Sequence, residues 1–193
     1  DIVVAGQRIT GQVDGAGPEG VMAAQFGAIC PKHKLALWVR HLALCAAADA
    51  AGGPGQRSRL VGRDGKAIAF GPVDGAADRL GDLVRWWRMG QALPLPLLPT
   101  ASHAYAEAMA NGKGERAARR AADAAWSSPG WGGGPPRGDG DDLYVRQVYG
   151  GIDPFGIDTR PEELPMLAAD FEAVALAVWD PLLTAARAPG GDE

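Results

Sequence analysis

The stretch VMAAQFGAICPKHKLALWVRHLALCAAA, residues 21–48, decides the fold class of this chain. Its first part, Val21–Ile29, is mostly aliphatic and predicts a strand. Pro31 then suits the first position of a helix. Apolar residues recur at helical spacing from about residue 32 to residue 48, namely Leu35, Trp38, Leu42 and Cys45. A strand followed directly by a long amphipathic helix predicts an α/β domain.

Flanking segments supply further predicted elements of both kinds. Two short strands, Ile2–Ala5 and Ile9–Val13, precede the stretch. A hairpin around Arg63-Asp64-Gly65 follows it, because Asp-Gly favours a tight turn. Cap residues and helical spacing predict four more helices, at about residues 75–89, 102–109 (capped by Ser102), 115–126 and from Pro161 onward.

Length and composition indicate one folded domain. The 193 residues suit a domain over 1–187, followed by a tail at 188–193 that we expect to be disordered. Hydrophobic residues make up 47% of the chain, which is enough to bury a core. Residues 127–142 are rich in Gly, Pro and Asp and form a loop too long for a plain connection.

Charge and cysteine usage restrict the cellular setting. The formal net charge of −4 means that any contact with DNA must come from a local basic face. Two cysteines, no secretory segment and no apolar run near the ~20 residues of a membrane span indicate a reducing, cytoplasmic protein. The chain starts at Asp1 in strand-like sequence without Met, so we expect a piece of a longer protein.

One segment carries a possible nuclease signature. Gly11-Gln12-Val13-Asp14 matches the Gly-x-x-Asp of restriction-endonuclease-like enzymes, in which carboxylates and a lysine hold Mg²⁺ and activate water. The following strand, around Gln25, carries neither an acid nor a lysine. The pattern therefore favours a plain turn at Asp14-Gly15, with Asp14 as a vestigial residue. A working Mg²⁺-dependent nuclease that combines Asp14 with an acid from elsewhere stays the alternative.

The histidines and cysteines predict no metal or cofactor site. His41 and Cys45 are four residues apart on one helix, a spacing that metal ligands use. No second pair follows at zinc spacing, so a core thiol at Cys45 and a capping histidine at His41 are the favoured interpretations. The three histidines form no recognisable Ser-His-Asp arrangement.

A basic run offers a candidate DNA contact. Its members are Lys113, Arg116, Arg119 and Arg120. They share one side of a predicted helix and could meet phosphates. The same run also fits a solvated ladder of ion pairs, because Glu115 and Asp123 each lie four residues from Arg119.

A candidate partner contact lies where leucines alternate with prolines. Prolines keep Leu93–Pro99 extended and outside a central strand, which leaves its leucines available, namely Leu93, Leu95 and Leu97. Trp131 lies in the long loop and either anchors the loop or faces a partner. The helical stripes place Trp87 and Trp179 in the core.

Several segments, taken in order, resemble the C-terminal domain of RecC, the gamma subunit of exodeoxyribonuclease V. The helix Leu37–Ala46 carries the clearest likeness, and the resemblance covers nearly the whole chain. The other matching segments are Ile9–Gly11, Ser58–Leu60, Arg63–Gly65, Pro94–Pro99, Arg137–Tyr144 and Pro181–Leu183. The chain departs from the family in keeping Asp14 and in its Gly/Pro loop.

The resemblance implies a fold and a role. It implies a degenerate restriction-endonuclease-like fold, with added helices, that lacks the active residues. It also implies a non-catalytic scaffold in the bacterial, cytoplasmic RecBCD complex, which processes broken DNA ends with ATP and Mg²⁺. RecD is the implied partner, with RecB beside it and DNA reached through the complex. Direct DNA binding through Arg116–Arg120 is kept as a further alternative.

Overall fold

The computed structural model describes residues 1–18, 20–127, 138–149, 155 and 170–187. The chain divides into two compact units, residues 1–86 with 184–193 and residues 87–183. The prediction of an α/β fold class is confirmed, because one unit contains a mixed sheet and both contain helices. The prediction of a single domain over 1–187 stays a prediction.

The first unit is built on a mixed sheet. A separate hairpin of β1 (Ile2–Val4) and β2 (Gln7–Ile9) precedes it. The five strands of the sheet, in spatial order, are β3 (Ala16–Gly17), β4 (Gly20–Gln25), β5 (Arg57–Gly62), β6 (Ala67–Phe70) and β7 (Ala186–Arg187). Only β4 and β5 pair in parallel, and the other neighbours are antiparallel.

The long helix α1 (Pro31–Ala50) makes the parallel pairing possible, because parallel strands need a crossover connection. Its predicted stripe is confirmed: Trp38, Leu42 and Cys45 are buried. The ring of Trp38 lies 4.9 Å from that of Phe70 on β6. The helix therefore covers the sheet face that carries Phe70, and the strand-to-helix order read from residues 21–48 is correct.

The next helix is longer and more exposed than predicted. It is α2 (Ala76–Ala92), and it continues through Gly90, where the sequence had placed its end. Its buried residues are Ala76, Leu80 and Gly81. Gly81 has no Cβ, which lets the helix approach Ala5 closely. Trp87 is 64% exposed, so its predicted place in the core is wrong: the buried part of α2 ends before Trp87 is reached.

The second unit is helical within its described residues. Its helices are α3 (Pro99–Ala110), α4 (Glu115–Trp126), α5 (Leu143–Tyr149) and most of α6 (Phe171–Ala185). Small residues such as Ala101 and Ala118 are fully buried and allow α3 and α4 to pack closely. The predicted stripe on α6 is confirmed from Phe171 onward, and the predicted burial of Trp179 is confirmed as well.

Ser102 does not cap α3, contrary to the prediction. It lies inside the helix, where its hydroxyl donates to the carbonyl of Leu98 at 2.6 Å and accepts from Nε1 of Trp179 at 2.8 Å. Asp139 performs the capping, because its Oδ2 accepts from the backbone N–H groups of Thr100 and Ala101, each at 2.8 Å. A carboxylate at a helix N-terminus satisfies amides that have no partner within the helix.

Several predictions fall outside the described residues. They concern most of the 127–142 loop, the helix start near Pro161, and the tail at 188–193.

Candidate interaction surfaces

The candidate nuclease centre does not form around Asp14. This residue lies in an exposed turn with Gly15, directly before β3, which confirms the plain turn that the sequence favoured. Gly15 has φ +72°, a left-handed conformation that glycine adopts without strain. The pairing of β3 with β4 involves only Gly20 and Val21 of β4. Gln25 lies at the opposite end of β4, so Asp14 and Gln25 are not partners in the ladder.

No cluster of metal ligands is found within the described residues. Across these ranges, no group of three or more His, Cys, Asp or Glu side chains could hold an ion. Strand β4 reads Gly-Val-Met-Ala-Ala-Gln, which contains no carboxylate. A single exposed carboxylate such as that of Asp14 holds Mg²⁺ poorly, because this ion gives up its waters reluctantly.

His41 does not cap a helix but lies in the core of the first unit. It is fully buried, and its Nε2–H donates to the carbonyl of Gly71 at 2.9 Å. Its Nδ1 lies 2.9 Å from Oγ of Ser58, which fits a neutral ring accepting from the hydroxyl. Burial lowers the pKa of His41, and the Gly71 hydrogen bond opposes that shift. The predicted core thiol at Cys45 is confirmed, and burial raises its pKa.

A Cys–His contact at the start of α1 is missing from the sequence prediction. Sγ of Cys30 lies 3.3 Å from Nδ1 of His33, and the backbone N–H of Cys30 donates to the same nitrogen at 3.3 Å. The pair forms a capping box in which Cys and His replace the usual hydroxyl and carboxylate. The three-residue spacing of Cys30 and His33 across Pro31 was the sequence signal that could have predicted this contact. The contact fixes the start of the helix.

The basic run on α4 separates into an exposed strip and a paired arginine. Lys113, Arg116 and Arg120 are all exposed, and no ion pair joins them to other described residues. Arg119 is held by two acids: its Nη2 lies 2.6 Å from Glu172 and its Nε 3.4 Å from Glu115. The run is therefore partly the predicted ion-pair ladder, while three cations stay available to solvent.

The leucine–proline segment is only partly exposed. Leu93 is 45% exposed, whereas Leu95 and Leu97 are half-buried. The side chain of Leu95 lies close to Gly90, where there is no Cβ. The carbonyl of Leu95 accepts from the hydroxyl of Tyr149 at 2.8 Å, and burial raises the pKa of Tyr149 to about 12. Of the three predicted leucines, Leu93 is thus the most accessible to a partner. Trp131 lies outside the described residues.

Within the part of the chain that the structure describes, one face of the five-stranded sheet has no covering helix. Side chains alternate along each strand, so Val21, Ser58 and Phe70 point to the buried face covered by α1. The opposite face carries two registered rows, Met22–Arg59–Ala69 and Ala24–Val61–Ala67. Met22 is 67% exposed, and the other five are exposed or half-buried. We refer to these six residues as the open sheet face.

The open sheet face was absent from the sequence predictions. The signal was present in the alternation of β5, where Arg57 and Arg59 occupy positions of one face and Ser58 and Leu60 positions of the other. The sequence did not show that no second helix among the described residues covers this face. This depends on tertiary packing, which the local pattern does not encode.

The described geometry defines an α/β protein with candidate contact surfaces. Residues 1–110 match the RecC C-terminal domain family, so the chain belongs to that family. The resemblance stated from the sequence is thereby confirmed over this part of the chain. RecC is a subunit of the RecBCD complex, exodeoxyribonuclease V, and the family thus indicates a component of this DNA-repair complex. No curated protein matches the chain. Across the described residues, none of the helices is both long enough and apolar enough to span a membrane.

Proposed function

We propose that this chain is a non-catalytic scaffold domain of a cytoplasmic RecBCD complex that acts in double-strand-break repair and recombination. In this role it seats the RecD subunit, with RecB beside it. Its fold is a degenerate form of the restriction-endonuclease-like nucleases. The domain itself uses no cofactor, and the ATP and Mg²⁺ of the complex act at other subunits. Membership of the RecC C-terminal domain family supports the assignment to this complex.

The observation that carries the non-catalytic part is the isolation of Asp14. It lies in an exposed turn, and the neighbouring strand β4 supplies no carboxylate or lysine. Two-metal and one-metal nucleases need hard oxygen ligands that converge on the ion. A protein that keeps the strands and helices of such a fold without the ligands can still present surfaces to partner subunits.

The leucine–proline segment is the proposed RecD contact, with Trp131 as a second element. Leu93→Asp is expected to weaken binding of purified RecD to the chain about tenfold, because the carboxylate would be buried in an apolar contact. Leu93 is 45% exposed, so the variant should unfold at the temperature of the wild type. Titration calorimetry with RecD measures the affinity, and Leu143→Asp, at a leucine that is 77% exposed, is the matched control.

Two outcomes would contradict the proposed function. The first is that the wild-type chain binds neither RecD nor RecB. The second is that the wild-type chain degrades linear DNA with Mg²⁺ or Mn²⁺ and that Asp14→Ala abolishes this activity. The second result would favour the nuclease alternative.

Direct DNA binding is a second candidate function, favoured by the exposed strip of Lys113, Arg116 and Arg120. Each phosphate contact adds about one unit to the slope of log affinity against log salt. Replacing both Arg116 and Arg120 with alanine is therefore expected to lower the slope by about two units. Fluorescence anisotropy with a labelled duplex at several salt concentrations measures this slope.

The control for this experiment is the double variant Arg40→Ala and Arg63→Ala, which removes two exposed cations elsewhere. Binding that falls equally in both double variants reflects overall charge alone. DNA binding that is unchanged in the Arg116 and Arg120 variant would exclude the strip as the contact.

A further inference from the structure

Cys30 and His33 form a contact that the scaffold role does not use. The backbone N–H of Cys30 donates to Nδ1 of His33 at 3.3 Å, so this nitrogen carries a lone pair and no hydrogen. Sγ of Cys30 lies 3.3 Å from the same nitrogen, and the hydrogen that can lie between these two atoms is that of the thiol. The thiol therefore donates to the imidazole, which is the arrangement of a nucleophile beside a general base.

Cys45, the other cysteine of the chain, lacks both access and a base. It is 2% exposed, and burial raises its pKa. Its Sγ lies 3.5 Å from Nε2 of His41, but this nitrogen carries the hydrogen that it donates to the carbonyl of Gly71. A ring nitrogen that already holds a hydrogen cannot take up the proton of a thiol. Cys30, in contrast, is partly exposed and has a nitrogen that can accept its proton.

Two other uses of Cys30 do not fit the structure. A structural zinc ion takes about four ligands, and among the residues that the structure describes no third His, Cys, Asp or Glu joins Cys30 and His33. An internal disulfide does not fit either, because Cys45 lies fifteen residues further along the same helix, which is about 22 Å. The Cα atoms of a disulfide are at most about 7 Å apart. The partner of Cys30 in any disulfide is therefore a molecule from outside the chain.

The charges near the start of α1 favour an anionic reagent. Lys32 lies in the first turn of the helix and is exposed. The turn between β5 and β6 lies against the segment that precedes α1, because the N–H of Arg63 donates to the carbonyl of Gly27 at 3.1 Å. Arg63 is exposed as well, and the acid of this turn, Asp64, pairs with Lys66 at 3.8 Å. Lys32 and Arg63 thus leave a local positive charge that attracts anions.

We propose that Cys30 is a modification site for anionic low-molecular-weight disulfides, with His33 as the general base. The sulfur of Cys30 attacks one sulfur of the reagent, whose S–S bond breaks as the mixed disulfide with Cys30 forms. The thiol proton passes to Nδ1 of His33 and from there to the departing thiolate, so one thiol and one disulfide give one thiol and one disulfide. Because Cys45 is out of reach, the mixed disulfide persists until an external thiol reduces it. Neither RecD nor DNA takes part in this chemistry, so its test is independent of the proposed function.

The first test measures which cysteine reacts. The full chain is incubated with oxidised glutathione, an anionic disulfide, and samples are quenched in acid and mapped by mass spectrometry. Cys30 is expected to form the mixed disulfide at least about tenfold faster than Cys45. Cys30→Ser should leave the folded chain unmodified over the same time. No mixed disulfide at Cys30, or equal rates at the two cysteines, overturns the inference.

The second test separates the base from the helix cap. In His33→Gln the amide oxygen can still accept from the backbone N–H of Cys30, as Gln does in a capping box, but it cannot take up a proton. The variant is expected to unfold at the temperature of the wild type and to form the mixed disulfide about tenfold or more slowly. A His33→Gln chain that reacts at the wild-type rate would show that His33 only caps the helix, and it would overturn the inference.

The third test concerns the charge of the reagent. The rates with oxidised glutathione and with cystamine, a cationic disulfide, are each divided by the rate of the same disulfide with free mercaptoethanol. At low salt this ratio is expected to be at least about threefold higher for oxidised glutathione. Lys32→Ala combined with Arg63→Ala should remove the preference, whereas Arg40→Ala, at an exposed position further along α1, should preserve it. An equal or higher ratio for cystamine with the wild type overturns the anionic class of reagent.

Discussion

Replacing Gly20 with alanine is expected to destabilise the first unit by about 4 kcal/mol. Gly20 begins β4 and is paired in register with Arg57 on the parallel neighbour β5. Its φ is +137°, a conformation that L side chains rarely adopt. A Cβ at this position would overlap the backbone carbonyl of Arg57. Because the obstacle is backbone, it cannot move aside as the end of a flexible side chain could.

Gly17 provides the matched control. It also lies in the sheet, on β3, but a Cβ there would meet nothing nearer than the carbonyl oxygen of Gly20 at 3.8 Å. Gly17→Ala should therefore change the free energy of unfolding by less than about 0.5 kcal/mol. Urea unfolding followed by tryptophan fluorescence measures both variants, since Trp38 is buried against the sheet. A Gly20→Ala protein within about 1 kcal/mol of the wild type would contradict the close approach of β4 and β5.

The elements that depend on local sequence could be predicted. The period of Trp38, Leu42 and Cys45 defines α1, and the Asp-Gly turn defines the β5–β6 hairpin, because both signals lie within a few residues. The pairing of β6 with β7 joins residues more than one hundred positions apart, and no local pattern encodes it. Helix propensity also gave a wrong prediction at Gly90. The sequence placed the end of α2 there, but the helix continues through this glycine to Ala92.

The candidate surfaces also include features that the local sequence predicts and features that depend on tertiary packing. The exposed cations of α4 follow from the helical spacing of Arg116 and Arg120, and the structure leaves both accessible. The exposure of Trp87 does not follow from spacing, because it depends on which neighbours cover the helix. The burial of His41 could have been predicted, because His41 lies three residues after Trp38 and four before Cys45, and both of these are buried. The open sheet face depends likewise on tertiary packing, because it is defined by the lack of a covering element among the described residues.

The second large effect on the free energy of unfolding is expected for substitution of the buried His41. Its ring joins three elements: Nε2–H donates to Gly71, Nδ1 accepts from Ser58, and the ring stacks on Phe70 at a centroid distance of 5.4 Å. The hydroxyl of Ser58 in turn lies 3.4 Å from the backbone N–H of Val21, which brings β4 into the network. Every one of these bonds fits the neutral ring. A protonated Nδ1 could not accept from Ser58.

His41→Ala is expected to lower the free energy of unfolding by about 3 kcal/mol at neutral pH. The change leaves a cavity, and it leaves the hydroxyl of Ser58 and the carbonyl of Gly71 without their side-chain partner in a dry interior. His41→Gln restores a donor and an acceptor without a titrating group, and it should recover part of the loss. Chemical unfolding of the wild type and of both variants is measured at pH 7.5, about one unit above the ordinary histidine pKa. At this pH the His41 ring of the wild type is largely neutral in the folded and the unfolded state.

The pH dependence follows from the direction of the pKa shift. Burial holds the pKa of His41 below its ordinary value of 6.5, so as the pH falls through that value the unfolded chain takes up a proton that the folded chain refuses. The wild type should therefore lose stability between about pH 6.5 and the lower pKa of the folded state, and keep its full stability above that range. His41→Gln lacks this contribution, so the stability difference between wild type and variant should narrow on acidification. A difference that stays constant from pH 7.5 to about pH 5 would show that His41 is protonated equally in both states, and the neutral network described above would then be wrong.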